Sequence, residues 1–568
     1  MLYESRWSLT PPHVSVPSFL FGSPRANLSD TEKIMLDWKR PETHYFTLYT
    51  LREWSMRFAA GLTAAGLQQG DRVMLVSGNN FWTPVVVLGT LMAGGIYNSA
   101  NPAGTSRELA YQLKDSEPRF IFAAENCLGP MREAAKLHGI DQSCIYLFEE
   151  LPSHFTTATE RQEKSINGIA EHWGTLLTTQ KVGSAFEWEQ FHSAEMASRT
   201  AILIYSSGTT GLPKGVEVTH YNLVATTMQL MMTQLSDQTL TQRRGLCVLP
   251  MYHGLGLVYF VFVATKARLQ SYIMQRYNLQ DMLFCIDHFK ITELLLVPPM
   301  VVALAKHPAA RNGDYNLSSV RKVVAGAAPL GMEVTKQCEE LWSGRLRIRQ
   351  AWGMSEFPCV GTCWDETESS DSSSTSVGEL VPGAAAKLIL DDGTEELRPN
   401  HPGELWIRGP NVMKGYWRKP KETAETKSSD GWLKTGDIAH RDESGKWYIV
   451  DRRKELIKVR GAQVAPAELE ALLLEHPSIV DAAVIGIKTA SDDEDPRAYV
   501  VPRKAGAITE QDVIDFVASK VSKIKRLTGG VIFLPVIPKN QSGKILRKEL
   551  RERAKGEQIA CSTLQPRL

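Results

Sequence analysis

The sequence predicts an α/β protein, and three observations carry that prediction. Helical patterns alternate with short apolar strands through residues 1–190. The same alternation returns between Ala201 and Ser355, and β-rich segments follow residue 376. In the first region Leu51 to Gly66 reads as an amphipathic helix closed by a C-cap glycine. Gly70-Asp71 then turns into a buried strand at Arg72–Ser77, and a second helix spans Trp82–Gly94. Such alternation implies parallel sheet covered by helices. The second region repeats it, with strands at Ala201–Tyr205, Glu293–Val297 and Lys322–Ala325. The third supplies strands at Ala386–Leu390, Glu404–Ile407 and Trp447–Val450.

Between them Thr367 to Ser376 is polar and serine-rich, which reads as a surface loop. A charge cluster, Asp451-Arg452-Arg453-Lys454, marks a domain boundary, with units at 1–450 and 451–568. The second unit alternates Pro466–Glu475, Ile479–Ile485 and Ile508–Lys520 before a basic tail.

Composition narrows the function. The 568 residues allow about four folding units at roughly 150 residues each. The 64 basic and 63 acidic side chains nearly cancel, which gives no electrostatic reason for a nucleic acid or an anionic membrane as partner. The most apolar run, Leu255 to Ala264, is too short to span a bilayer and reads as core. Eight cysteines are scattered without zinc-site spacing and read as reduced thiols of an intracellular protein. The N-terminus shows no apolar signal segment. The last three residues, Pro566-Arg567-Leu568, approach the S-K-L peroxisomal address, so the expected location is peroxisomal or cytoplasmic.

The sharpest motif is Ser206-Ser207-Gly208-Thr209-Thr210-Gly211-Leu212-Pro213-Lys214-Gly215, directly after the strand Ala201–Tyr205. Its glycines let backbone N–H groups face an anion, while hydroxyls and one lysine add donors. It is not a Walker A loop, because glycine and Gly-Lys-[Ser/Thr] do not recur at that spacing.

This segment resembles the phosphate-binding signature of the acyl-adenylate-forming superfamily. Five further segments resemble that superfamily in order. They are Ala325-Gly326-Ala327-Ala328-Pro329-Leu330, Gln350-Ala351-Trp352-Gly353-Met354-Ser355-Glu356, Gly431-Trp432-Leu433-Lys434-Thr435-Gly436-Asp437, the hinge around Asp451-Arg452, and the terminal Ser542-Gly543-Lys544. The similarity runs nearly the whole length and is nearest the 4-coumarate–CoA ligase-like branch. It implies a large N-terminal region of two α/β subdomains plus a β-rich one, followed by a small mobile C-terminal α+β domain.

The resemblance also implies a chemistry. A carboxylic acid is activated with ATP to an acyl-adenylate plus pyrophosphate, and the acyl group then passes to the thiol of CoA. No general base is required, because the acid is already ionised near pH 7. The protein must neutralise charge and hold the reactants in line. By resemblance, Ser206, Ser207, Gly208, Thr209, Thr210, Gly211 and Lys214 cradle the phosphates, and Thr210 with Glu356 sits at Mg²⁺. Gly326, Ala327, Ala328, Gly353 and Ser355 lie along the nucleotide. Trp352 stands where most relatives stack a tyrosine on adenine, and Asp437 accepts from the ribose hydroxyls. His253 lies beside the acyl pocket. Lys544 serves adenylation, and Lys458 the second step. Arg452 sits at the hinge, and Gly461 near the thiol's tunnel.

Three positions depart from the 4-coumarate pattern. Ala351 replaces a glycine, Phe357 replaces an alanine, and Leu255 replaces a tyrosine. The extra bulk at Ala351 and Phe357 and the polarity lost at Leu255 count against 4-coumarate itself, and a smaller aromatic or a medium aliphatic acid fits as well. Three alternatives stay open: a ligase that loads a carrier protein, a luciferase-like oxygenase, and a nucleotide-binding module without catalysis.

Overall fold

The computed structural model describes residues 2–563 other than 29, 152–169, 207–211, 237–241, 369–373, 461, 490–492 and 541–542. Among the described residues, three large sheets build the N-terminal region. The first has the order Gly415–Tyr416, Lys214–Thr219, Thr200–Ser206, Ile96–Ala100, Arg72–Val76, Pro118–Ala123, Ile145–Leu147, Glu171–His172. It is parallel from Thr200–Ser206 onward. Lys214–Thr219 instead returns antiparallel on Thr200–Ser206, pairing Lys214 with Ser206. The phosphate-loop motif therefore closes a hairpin.

The second sheet runs Ile348–Gln350, Lys322–Ala325, Glu293–Leu296, Arg244–Cys247, Gln270–Ile273, Met35–Asp37, Tyr45–Phe46. Only the last pairing is antiparallel. The third is antiparallel and includes Ala385–Ile389, Gly403–Arg408, Leu433–Arg441 and Trp447–Arg452. Two α/β layers and a β-rich one are thus present, as the sequence implies.

The helix read from Leu51 spans Leu48–Ala64, starting three residues earlier than its apolar pattern suggests. Thr47 is the reason: its hydroxyl accepts from the Thr50 N–H, and the Thr50 side chain bonds back to the Thr47 N–H. Thr83–Met92 is buried at all ten positions, since helices packed within an α/β core lose their polar face. The run read as core is helical from Gly254, passes through a π-helical stretch at Val258–Val263, and is wholly buried there. Ser376, read as part of a surface loop, is buried and donates to the Trp447 carbonyl at 2.9 Å.

Residues 457–554 bury two apolar clusters of their own, one around Ile457, Leu469 and Val484, the other around Ile485, Tyr499 and Leu550. Their sheet is Ile479–Lys488, Glu494–Pro502 and Val531–Phe533, beside a ribbon of Ile457–Val459 and Ala462–Val464. The seven described cysteines with side chains are all free. Among the described residues no cluster of three metal-ligating side chains occurs, and no helix is long and apolar enough to cross a membrane.

Candidate active site

Three cavities meet where the sheets end. One of about 180 Å³ is lined by His253, Leu255, Gly326, Ala327, Ala351 and Ser355, among others. A wide cleft between the N-terminal region and the C-terminal unit holds Ala327, Ala328, Asp451, Arg452 and Lys544. A third opens at the ends of the phosphate loop, with Ser206, Lys214, Glu356, Tyr416 and Arg452. Ala327 is common to the first two, Arg452 to the last two, and Met354 to the first and third.

The segment after strand Lys322–Ala325 is held open by its neighbours. Ala327 adopts φ 74°, a left-handed backbone that is strained for a residue with a side chain. Buried Gln350 pins the segment, accepting from the Leu330 N–H at 2.9 Å and donating to its carbonyl at 3.0 Å. A side chain at Gly353 would run into the Cys359 carbonyl at 2.2 Å, so the chain can pass only as glycine.

Asp437 is buried, and its two oxygens are both engaged. Trp352 donates its indole N–H at 2.8 Å, and Arg452 approaches at 3.3 Å from the paired strand. Trp352 is itself only 7% exposed and packs on Gly361. Here its indole supports Asp437.

Glu356 is buried and accepts from the Tyr416 hydroxyl at 2.8 Å. The Tyr416 ring lies 4.7 Å beneath the Lys214 ammonium, so one phenol joins the loop lysine to the carboxylate. Sequence reading missed Tyr416. The signal was Lys414-Gly415-Tyr416-Trp417-Arg418-Lys419, an aromatic pair flanked by bases between two recognised motifs.

His253 is half-buried, and its buried Nε2 has no hydrogen-bond partner among the described residues. Burial lowers its pKa to about 4, so it is neutral at physiological pH. A neutral imidazole lining this cavity offers a hydrogen bond rather than a charge.

Lys544 arrives from the C-terminal unit on a tight turn. Asn540 accepts the Lys544 N–H at 2.8 Å, and Gly543, at φ 80°, supplies the left-handed step. A Cβ on Gly543 would lie 3.1 Å from Pro299, so the turn docks closely on the large region. Burial lowers the Lys544 pKa to about 8; neighbouring Arg452 adds to the effect, while Asp437 and Glu455 oppose it. Lys458 is elsewhere. It is exposed on the strand Ile457–Val459, with its backbone N–H on Glu494 at 2.9 Å.

Asp451 ties the hinge to the C-terminal unit: one oxygen accepts the Ala467 N–H at 3.0 Å, at the start of helix Pro466–Leu474. Ala351 lines the enclosed cavity, but Phe357 does not. Phe357 is fully buried against Gly361 and Gly409, so the narrowing expected from it is corrected. Ser207, Gly208, Thr209, Thr210, Gly211, Gly461 and the terminal Pro566-Arg567-Leu568 lie outside the described residues.

The family model of AMP-binding enzymes matches residues 25–417, and that of the AMP-binding enzyme C-terminal domain matches residues 468–544. The chain belongs to the AMP-binding enzyme family. This AMP-binding enzyme is 36% identical over 561 residues to the acyl-CoA ligase azaF of Aspergillus niger, covering 97% of this chain and 100% of that protein. It is also 36% identical over 564 residues to the phenylacetyl-CoA ligase epaB of Aspergillus niger, covering 97% and 99%. Among solved structures, ATP-bound MatB from Rhodopseudomonas palustris superposes with a TM-score of 0.77 at 26% identity, covering 95% of this chain and 99% of that one.

Proposed function

We propose that this AMP-binding enzyme is an acyl-CoA ligase with two working units, residues 1–450 and 451–568. The carrying observation is Lys544, half-buried at the cleft beside Asp437 and Arg452, between the phosphate-loop mouth and the acid cavity. In the first half-reaction a carboxylate oxygen attacks the α-phosphorus of ATP, and the bond to pyrophosphate breaks. Lys544 and Lys214 offset the charge that moves onto the departing group. Asp437 orients the ribose, itself held by Trp352. His253 donates to the acid's oxygen as a neutral imidazole.

Mg²⁺ suits this donor set. It binds through one or two carboxylates plus substrate phosphates, and Glu356 is a hard oxygen donor at the loop mouth. When bound, the ion neutralises phosphate charge. Tyr416 holds the Glu356 oxygen in place for it.

In the second half-reaction the sulfur of CoA attacks the acyl carbon, and the bond to AMP breaks. For this step the C-terminal unit turns about Asp451, withdrawing Lys544 and presenting Lys458. The acid is a small aromatic or a medium aliphatic one. A cavity of about 180 Å³ supports that size, since a 150 Å³ apolar cavity takes a benzene ring.

The test is pyrophosphate release over a panel of aromatic and aliphatic acids, with and without CoA. Acid-dependent release and a CoA-dependent thioester are expected. Release that never yields a thioester would fit carrier loading instead. We also propose delivery to peroxisomes through Pro566-Arg567-Leu568, a reading supported by the peroxisomal OPC-8:0-CoA ligase 1 of Arabidopsis thaliana, 36% identical over 489 residues. An N-terminally tagged chain should gather there and disperse when Leu568 is deleted.

A further inference from the structure

Helix Pro298–Lys306 divides its residues between two surfaces. Met300, Val301, Leu304 and Ala305 are buried in the core of the large region. Pro299, Val302, Ala303 and Lys306 recur at i, i+3, i+4 and i+7, and they line the cleft toward the C-terminal unit. Lys306 is the charged residue of that stripe.

Across the cleft, helix Pro466–Leu474 presents Ala467, Ala471 and Leu474. The Leu474 carbonyl, at the end of that helix, accepts from the Lys306 ammonium at 3.2 Å, and the Ile479 carbonyl accepts at 3.1 Å. A helix C-terminus carries partial negative charge, so a cation is favourable there. Burial lowers the Lys306 pKa; neighbouring Arg503 adds to the effect, while Asp481 opposes it. Asp481 is itself engaged, both its oxygens accepting from Lys539 at 2.7 Å.

The same helix meets the C-terminal unit at its other end. A Cβ on Gly543 would lie 3.1 Å from Pro299, and Gly543 directly precedes Lys544. Pro299 and Lys306 stand two turns apart, about 10 Å at roughly 1.5 Å per residue. A single contact would let the unit swing about it. Two contacts on one rigid helix fix its orientation, and with it the place of Lys544. The second contact also suits a joint that must open. Its acceptors are backbone carbonyls, so parting returns the ammonium to water without stranding a buried carboxylate.

We propose that Lys306 is a positioning residue for the first half-reaction: it holds the C-terminal unit in the arrangement that delivers Lys544, and it lets go when the unit turns. This rests on the acyl-CoA ligase reading and names a residue that governs its first step.

The test compares both half-reactions in the wild-type enzyme, Lys306→Met and Lys306→Arg, using the panel acid that gives most pyrophosphate release. Methionine keeps an unbranched apolar stem and removes the charge, whereas arginine keeps a cation with donors. The first half-reaction is read as acid-dependent exchange of pyrophosphate into ATP. The second is read as thioester formed from chemically prepared acyl-AMP and CoA. Lys306→Met should lower the exchange by about ten- to a hundredfold, the range for losing hydrogen bonds to a charged group. Its thioester formation should stay at or above the wild-type rate. Lys306→Arg should recover most of the exchange. A merely structural role would depress both reactions together.

An unchanged exchange in Lys306→Met overturns the inference. So does a parallel fall in both half-reactions, or an arginine variant no better than the methionine one. Those results leave the ligase reading standing, because the wild-type enzyme still performs both steps. A wild-type enzyme that lacks either half-reaction overturns that reading, and this inference with it.

Discussion

Lys544 and Lys458 stand on the same C-terminal unit in opposite circumstances. Lys544 is half-buried in the cleft, its turn pressed on Pro299 and its charge weakened by desolvation and then by Arg452. Lys458 is exposed on a two-stranded ribbon and does not line the cleft. The contrast teaches that this arrangement of the unit brings Lys544, and not Lys458, to the cleft. If both act on the same substrate, the unit must move, and the fixed parts are those of the large region: the Gln350–Leu330 clamp, the Tyr416–Glu356 bond and the Trp352–Asp437 bond.

The contrast can be broken first at Lys544 itself. Lys544→Ala should lower acid-dependent exchange of pyrophosphate into ATP by about 10²–10³, the usual cost of losing one preorganised charge-stabilising group. Next comes its docking. Gly543→Val places a side chain at φ 80° against Pro299. Strain and contact of about 1–3 kcal/mol should lower the same exchange by about 5- to 150-fold. If the exchange is unchanged, the docked turn is not the adenylating state.

The pH profile sharpens the comparison further. Lys544 is charged below its pKa of about 8 and neutral above it. Since kcat/KM reports the free enzyme, its value for ATP in the exchange reaction should be level below that pH and fall above it, by about tenfold per unit at most. His253, at about 4, adds no limb between pH 5 and 8. A profile level to pH 10 would contradict the half-buried lysine.

Much of this was legible in the sequence, because its motifs have a local physical basis. The loop after Thr200–Ser206 was found from glycine and hydroxyl density, and the hairpin geometry followed only when Lys214–Thr219 paired back. Helix Leu48–Ala64 was misplaced at its start, since apolar period ignores a threonine cap. The strand Glu494–Pro502 was not read at all: Asp495-Pro496 looks like a turn, yet pairing on both sides overrides it.

Side-chain direction was the hardest part. Ala351 stands in the Gln350–Glu356 motif and Phe357 directly after it, but strand alternation and a bulge point Phe357 into the core and leave only Ala351 at the cavity. Trp352 was assigned by position in a motif, whereas its bond to Asp437 depends on residues 85 apart. The pairing of Glu293 with Lys322 at the cavity joins two strands 29 residues apart, and no local pattern announces it.

The exchange of lysines is tested most directly with Lys458→Ala, given first acid and ATP and then chemically prepared acyl-AMP with CoA. We expect normal pyrophosphate release in a single turnover, bound acyl-AMP that accumulates, and little thioester from either start. Lys544→Ala, run beside it, should convert supplied acyl-AMP and CoA to thioester while failing to make the adenylate. If Lys458→Ala instead lost adenylate formation and kept thioester formation, or if both variants lost the same half-reaction, the two-position reading of the C-terminal unit would be wrong.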